Sequence, residues 1–92
     1  MTGDRTVRLV AEVRGLVQGV GFRWWTRSVL VELGLTGSAT NMSDGTVLID
    51  ARGDRAALEE LLTRLRSGRA PGRVTDVAET WEAQGPDPGA GA

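Results

Sequence analysis

Three glycines and an arginine crowd the stretch from Val13 to Arg23, which reads VRGLVQGVGFR. Gly15, Gly19 and Gly21 strip side chains from a short segment that follows an alternating apolar run and precedes a helical pattern. A segment of this kind can turn its backbone N–H groups towards one point, and a helix start adds its four unpaired N–H groups and the positive end of its dipole. The combination is a generic cradle for a phosphate-like anion. The same glycines would equally serve a tight strand-to-helix turn, and spacing alone leaves both readings open. Arg23 bears on the choice. It falls in the first turn of the helix, where a cation meets the positive dipole end, and a bound anion would relieve that conflict. Its planar guanidinium matches two phosphate oxygens where lysine would offer a point charge. The alternative for Arg23 is a surface ion pair with a neighbour such as Glu12.

Other phosphate motifs fit poorly. A P-loop needs Lys-Ser/Thr after its last glycine, and the dinucleotide fingerprint needs a glycine where Trp24 stands, so ATP and NAD are poor ligands. The chain has no cysteine, which excludes thiol chemistry, disulfides and thiolate metal sites. It has no histidine either, removing the commonest general base and the usual transition-metal ligand. Any catalysis must therefore work mainly by positioning and electrostatics.

The elements that would hold these residues follow from periodicity. Val7, Leu9, Ala11 and Val13 alternate with Arg8, Val10, Glu12 and Arg14, the period of a half-buried strand. Phe22, Trp25, Val29 and Leu33 recur at spacings of three and four before Gly34, predicting a helix over roughly Arg23 to Leu33. A short strand over Ser38 to Asn41 and a second with Val47, Ile49 and Ala51 on one side flank Asp44-Gly45, a hairpin signal. Leu58, Leu61, Leu62 and Leu65 mark a second helix, with Asp54 as candidate N-cap and Gly68 as stop. A last strand over Val74 to Glu82 places Thr75, Val77 and Trp81 on one face. The order βαββαβ is an α+β, ferredoxin-like two-layer sandwich: an antiparallel sheet, both helices on one face, both crossovers right-handed. The other sheet face, with Arg8, Val10, Glu12 and Arg14, is expected to be wet. The expected organisation is an N-terminal tail over 1–5, one domain over 6–83 and a disordered tail over 84–92, where GPDPGAGA abandons periodicity.

At 92 residues, 40% hydrophobic and 25% charged, the chain has the composition of one small globular domain with a thin core. Lys+Arg number 11 against Asp+Glu 12, a balance that argues against a phosphate-backbone binder, so nucleic acid is not an expected partner. Neither a membrane-length apolar run nor a signal-peptide pattern is present, which makes the cytoplasm the expected compartment and a membrane an unexpected partner.

With these residues in place, VRGLVQGVGFR resembles the phosphate-binding signature of the acylphosphatases, and LGLTGSATNMSDGTV, Leu33 to Val47, is similar to their second signature. The resemblance covers roughly Val7 to Glu82. It implies a ferredoxin-like fold and hydrolysis of the carboxyl–phosphate bond of small-molecule acyl phosphates, with inorganic phosphate as product and competitor, and no metal or other cofactor. It also implies the site: Gln18, Gly19, Val20, Gly21 and Phe22 as phosphate cradle, Arg23 as clamp, Asn41 as holder of the attacking water. A monomer is expected. Two departures stand out. Ala39-Thr40 replaces a larger apolar residue followed by a basic one, which would alter packing or substrate approach. Gly68 to Arg73 lacks the usual Gly-Pro, expected to change only a loop.

Two rival readings share the topology. A non-catalytic phosphate- or carbamoyl-phosphate-binding module would resemble the acylphosphatase-like segment of a hydrogenase maturation protein, but the presence of both Arg23 and Asn41 favours an enzyme. An RNA-recognition domain would carry paired aromatics on its exposed strands, where this chain has Arg8, Val10, Glu12 and Arg14.

Overall fold

The structure, a computed structural model, describes residues 6–83, so both expected tails lie outside the described residues. The elements are β1 (Val7–Leu16), α1 (Phe22–Glu32), β2 (Thr36–Asn41), β3 (Val47–Gly53), α2 (Arg55–Leu65) and β4 (Arg73–Ala83), in the expected βαββαβ order. They form one four-stranded sheet in the order β2-β3-β1-β4, with every neighbouring pair antiparallel. The fold is the α+β ferredoxin-like sandwich that the periodicity predicts. Since β1 and β2 both run antiparallel to β3, they are parallel to each other and end at the same edge of the sheet.

Alternation explains the core. Leu9, Ala11 and Val13 of β1 meet Ile49, Ala51 and Val47 of β3 under the helices, all fully buried. Phe22, Val29 and Leu30 of α1 and Leu58, Leu61, Leu62 and Leu65 of α2 close the layer above them. On the opposite face Arg8 donates to both carboxylate oxygens of Asp50 at 3.0 and 2.8 Å and to Glu82 at 3.1 Å. That bond from Arg8 holds the Asp50 carboxyl below the usual carboxylate range. Arg8 is thus held by two carboxylates, and among the described residues this face carries no paired aromatics of the kind an RNA reader needs.

Four details go beyond or depart from the expectations. Helix α1 begins at Phe22, one residue earlier than the periodicity suggests. Asp54 occupies the N-cap position of α2, but its carboxylate makes no capping bond. Gly15 belongs to β1 and not to the turn that follows. In β4, Thr75 does not share the core face with Val77 and Trp81. The β1–β4 register slips between Arg14, opposite Asp76, and Gly15, opposite Val74, so Thr75 is the extra residue of a bulge. Thr75 is exposed, and Val74 packs against the core in its place. Trp81 is half-buried against the core, with the Arg55 guanidinium 4.3 Å from its ring centroid.

Candidate active site

The loop between β1 and α1 shows what each glycine does. Gly15 has φ +130°, and a Cβ there would fall 2.0 Å from the Arg73 carbonyl oxygen and 2.9 Å from the Thr75 nitrogen. It is required where β1 meets the bulged strand. Gly19 and Gly21 differ: their φ values are +76° and +84°, and a Cβ on either would meet nothing within 4 Å. Backbone conformation alone demands glycine there, since the left-handed region costs other residues roughly 1–2 kcal/mol. The space before them is open.

The backbone groups around that space lack protein acceptors. Among the described residues, the N–H groups of Gln18, Gly19, Val20 and Gly21 donate to no carbonyl or side chain. Gly21 is the N-cap of α1, with no side-chain capping bond and no acidic residue in the first turn. Loop amides and the positive end of the helix thus coincide, uncompensated. Phe22 is fully buried, so only its N–H can contribute.

Arg23, the second residue of α1, is exposed and enters no ion pair or side-chain hydrogen bond among the described residues. The alternative of pairing with Glu12 does not hold, because Glu12 is 3.3 Å from Arg14. Its direction follows from helix geometry at about 100° per residue. Phe22, Thr26, Val29 and Leu30 mark the sheet-facing side of α1, and Trp25, Ser28 and Glu32 line a cleft shared with Glu60, Thr63 and Arg64 of α2. Arg23 therefore lies on the flank away from α2. Helix α1 packs against β2, so that flank is the one nearer the β2 edge.

Asn41 stands at that edge. It is the last residue of β2, exposed, and pairs with Val47, which pairs in turn with Val13. One row across the sheet thus links Asn41 to the strand from which the loop departs. A side chain ties the two ends together: the Gln18 amide nitrogen donates to the carbonyls of Met42 and Thr46, both at 2.8 Å. The turn between β2 and β3 is braced separately. Thr46 donates to Asp44 Oδ1 from its N–H at 3.0 Å and from its hydroxyl at 2.7 Å, and these bonds hold the Asp44 carboxyl below its ordinary range.

The structure brings Gln18, Gly19, Val20, Gly21, Phe22, Arg23 and Asn41 to one edge of the sheet. Sequence reasoning missed three contributions. The side chain of Gln18 braces the loop and is not free to hold a ligand; an amide with two N–H groups in a glycine-rich loop was the available signal. Thr46, by donating to Asp44, braces the expected Asp44-Gly45 turn beside Asn41. Gly72 lies in the segment expected to change only a loop, yet its Cβ would sit 2.0 Å from the Leu16 carbonyl oxygen and 2.9 Å from Val20 Cγ2. Gly72 thus packs directly against the loop between β1 and α1. Of the other departure, Ala39 faces the core at 3% exposure and Thr40 is exposed, so only the smaller residue alters packing.

The family model described as Acylphosphatase matches residues 9–88. The chain is 65% identical over 75 residues to an acylphosphatase of Thermobifida fusca, a match covering 82% of each. It is 57% identical over 79 residues to an acylphosphatase of Mycolicibacterium vanbaalenii, covering 86% of this chain and 85% of the relative. A crystal structure of acylphosphatase from Bacillus subtilis superposes with a TM-score of 0.79 at 32% identity, covering 88% of this chain and 89% of that one.

Proposed function

The chain belongs to the acylphosphatase family, and from that membership we infer that it hydrolyses the carboxyl–phosphate bond of small-molecule acyl phosphates, releasing a carboxylate and inorganic phosphate. The observation that carries the assignment of the site is the run of unpaired N–H groups from Gln18 to Gly21, placed at the uncapped start of α1 with the unpartnered Arg23 beside it. These donors suit the three equatorial oxygens of a phosphoryl group, and the guanidinium adds a bidentate clamp.

Phosphoryl transfer through a loose transition state asks mainly for in-line positioning and charge stabilisation. In our reading, Asn41 orients a water on the β2 side of the phosphorus. The water oxygen bonds to phosphorus as the bond to the acyl oxygen breaks, and the carboxylate leaves with the electron pair. Asn41 is neutral and takes no proton well, so the proton passes to a phosphoryl oxygen of the substrate. A carboxylate is a good leaving group, which makes a strong general acid dispensable. The amides and Arg23 act on charge that spreads over the phosphoryl oxygens as the bonds change.

We place the enzyme in the cytoplasm as a monomer, with no nucleic-acid partner. Among the described residues no helix is long and apolar enough to cross a membrane. Hydrolysis of benzoyl phosphate, followed with and without added inorganic phosphate, tests the reading. Turnover with competitive inhibition by phosphate supports it. Turnover that phosphate does not inhibit competitively would move the site away from the cradle.

A further inference from the structure

Among the described residues, four of the five large apolar side chains left exposed stand around the cradle: Leu16, Val20, Trp24 and Met42. The fifth, Val31, lies two turns along α1. Single exposed apolar residues are ordinary, but a group of them at one anion site calls for an occupant. Reaction geometry divides the group. In-line displacement puts the leaving carboxylate opposite the attacking water. Asn41, on β2, holds that water, and Met42 follows it on the same side. The strand order β2-β3-β1-β4 places the far side of the cradle towards β4. Val20 belongs to that side, because its Cγ2 lies 2.9 Å from where a Gly72 Cβ would stand, at the entry to β4.

Trp24 covers the same loop from the outer face of α1. It is the third residue of α1 and 72% exposed, whereas Trp25 turns inward to Phe22 with ring centroids 5.9 Å apart. Long side chains on a helix lean back towards its N-terminus and cover the preceding turn. For Trp24 the preceding turn is the loop at Val20 and Gly21. Leu16 alternates with the buried Val17 that follows it and, at 72% exposure, stands outside the core side of the strand.

We propose that Val20 and Trp24 form an apolar seat for the acyl group of the substrate, so that the enzyme prefers aromatic or bulky apolar acyl phosphates to acetyl phosphate. The proposal rests on the cradle reading above and extends it from the phosphoryl group to the leaving group. The probes are benzoyl phosphate and acetyl phosphate, with inorganic phosphate as competitor in every assay. In Trp24→Ala the ratio of kcat/KM for benzoyl over acetyl phosphate should fall about tenfold from that of the unmodified chain, the scale of one lost apolar contact region. Inhibition by phosphate should persist in that variant, since no cradle amide is touched. Val31→Ala, on the same exposed helix face but remote from the loop, should keep the original ratio. An unchanged ratio in Trp24→Ala with phosphate still competing overturns the seat and leaves the cradle standing. An equal fall in Val31→Ala also overturns it, by showing that the effect is not local. Failure of phosphate to compete in the unmodified chain removes the cradle itself, a result distinct from either.

Discussion

A guanidinium in the first turn of a helix, with no acidic residue near it, is mildly unfavourable unless something negative shares the site. Arg23 therefore has little to lose structurally and much to lose functionally. Arg23→Ala is expected to lower kcat/KM for benzoyl phosphate by about 10²–10³-fold or more, the usual cost of one preorganised donor, without lowering the melting temperature. Arg23→Lys should fail substantially too, because a point charge replaces a fork. Near-normal kcat/KM in Arg23→Ala would refute the clamp. Asn41→Ala separates a different role: turnover should slow while inhibition by phosphate is roughly retained, and unchanged turnover would reject water positioning. At this scale the sequence was legible for the placement of Arg23, which stands exposed in the first turn of α1 as its position after the glycines requires. It was not legible for Gln18, whose partners are the carbonyls of Met42 and Thr46, groups that only the folded turn brings within 2.8 Å.

Strand β1 and the loop after it use glycine for two reasons, and substitution should tell them apart. A Cβ at Gly15 would collide with the backbone of β4 at 2.0 Å, and neither strand can yield without disturbing the bulge. A Cβ at Gly21 meets nothing within 4 Å and carries only the left-handed penalty, roughly 1–2 kcal/mol. Gly15→Ala should thus lower the denaturation midpoint considerably more than Gly21→Ala. Gly21→Ala should lose activity out of proportion to stability as its amide shifts. Denaturant titration paired with kcat/KM checks both, and equal midpoints would discount the clash. The elements themselves were written plainly in periods of two and 3.6, and all four leucines of α2 are buried as that spacing requires. The bulge was not, because it depends on how Arg14 and Gly15 register against a strand some sixty residues later. A slip of one residue moves every subsequent side chain to the other face, which is why Thr75 and Val74 exchanged places.

Across the molecule, the sheet order brings together the two distant segments of the proposed site. Parallel β1 and β2, separated by antiparallel β3, deliver the loop and Asn41 to the same edge without either helix supplying more than the first turn of α1. Helix α2 covers the sheet and contributes none of the residues of the proposed site. A domain of this size buries a smaller share of its surface than larger domains do, and total stability of about 5–15 kcal/mol leaves little margin. Leu61 is fully buried at the centre of that helix. Leu61→Ala should cost about 2–5 kcal/mol by leaving a cavity, enough to lower the melting temperature sharply. Below the new transition, however, kcat/KM per folded molecule should match that of the unmodified chain, since the cradle hangs on β1, α1 and the entry to β4. Thermal unfolding followed by circular dichroism, with activity normalised to the folded fraction, distinguishes the cases. A loss of kcat/KM in fully folded Leu61→Ala would mean that α2 helps hold the loop in shape, and the division between support and site would have to be redrawn.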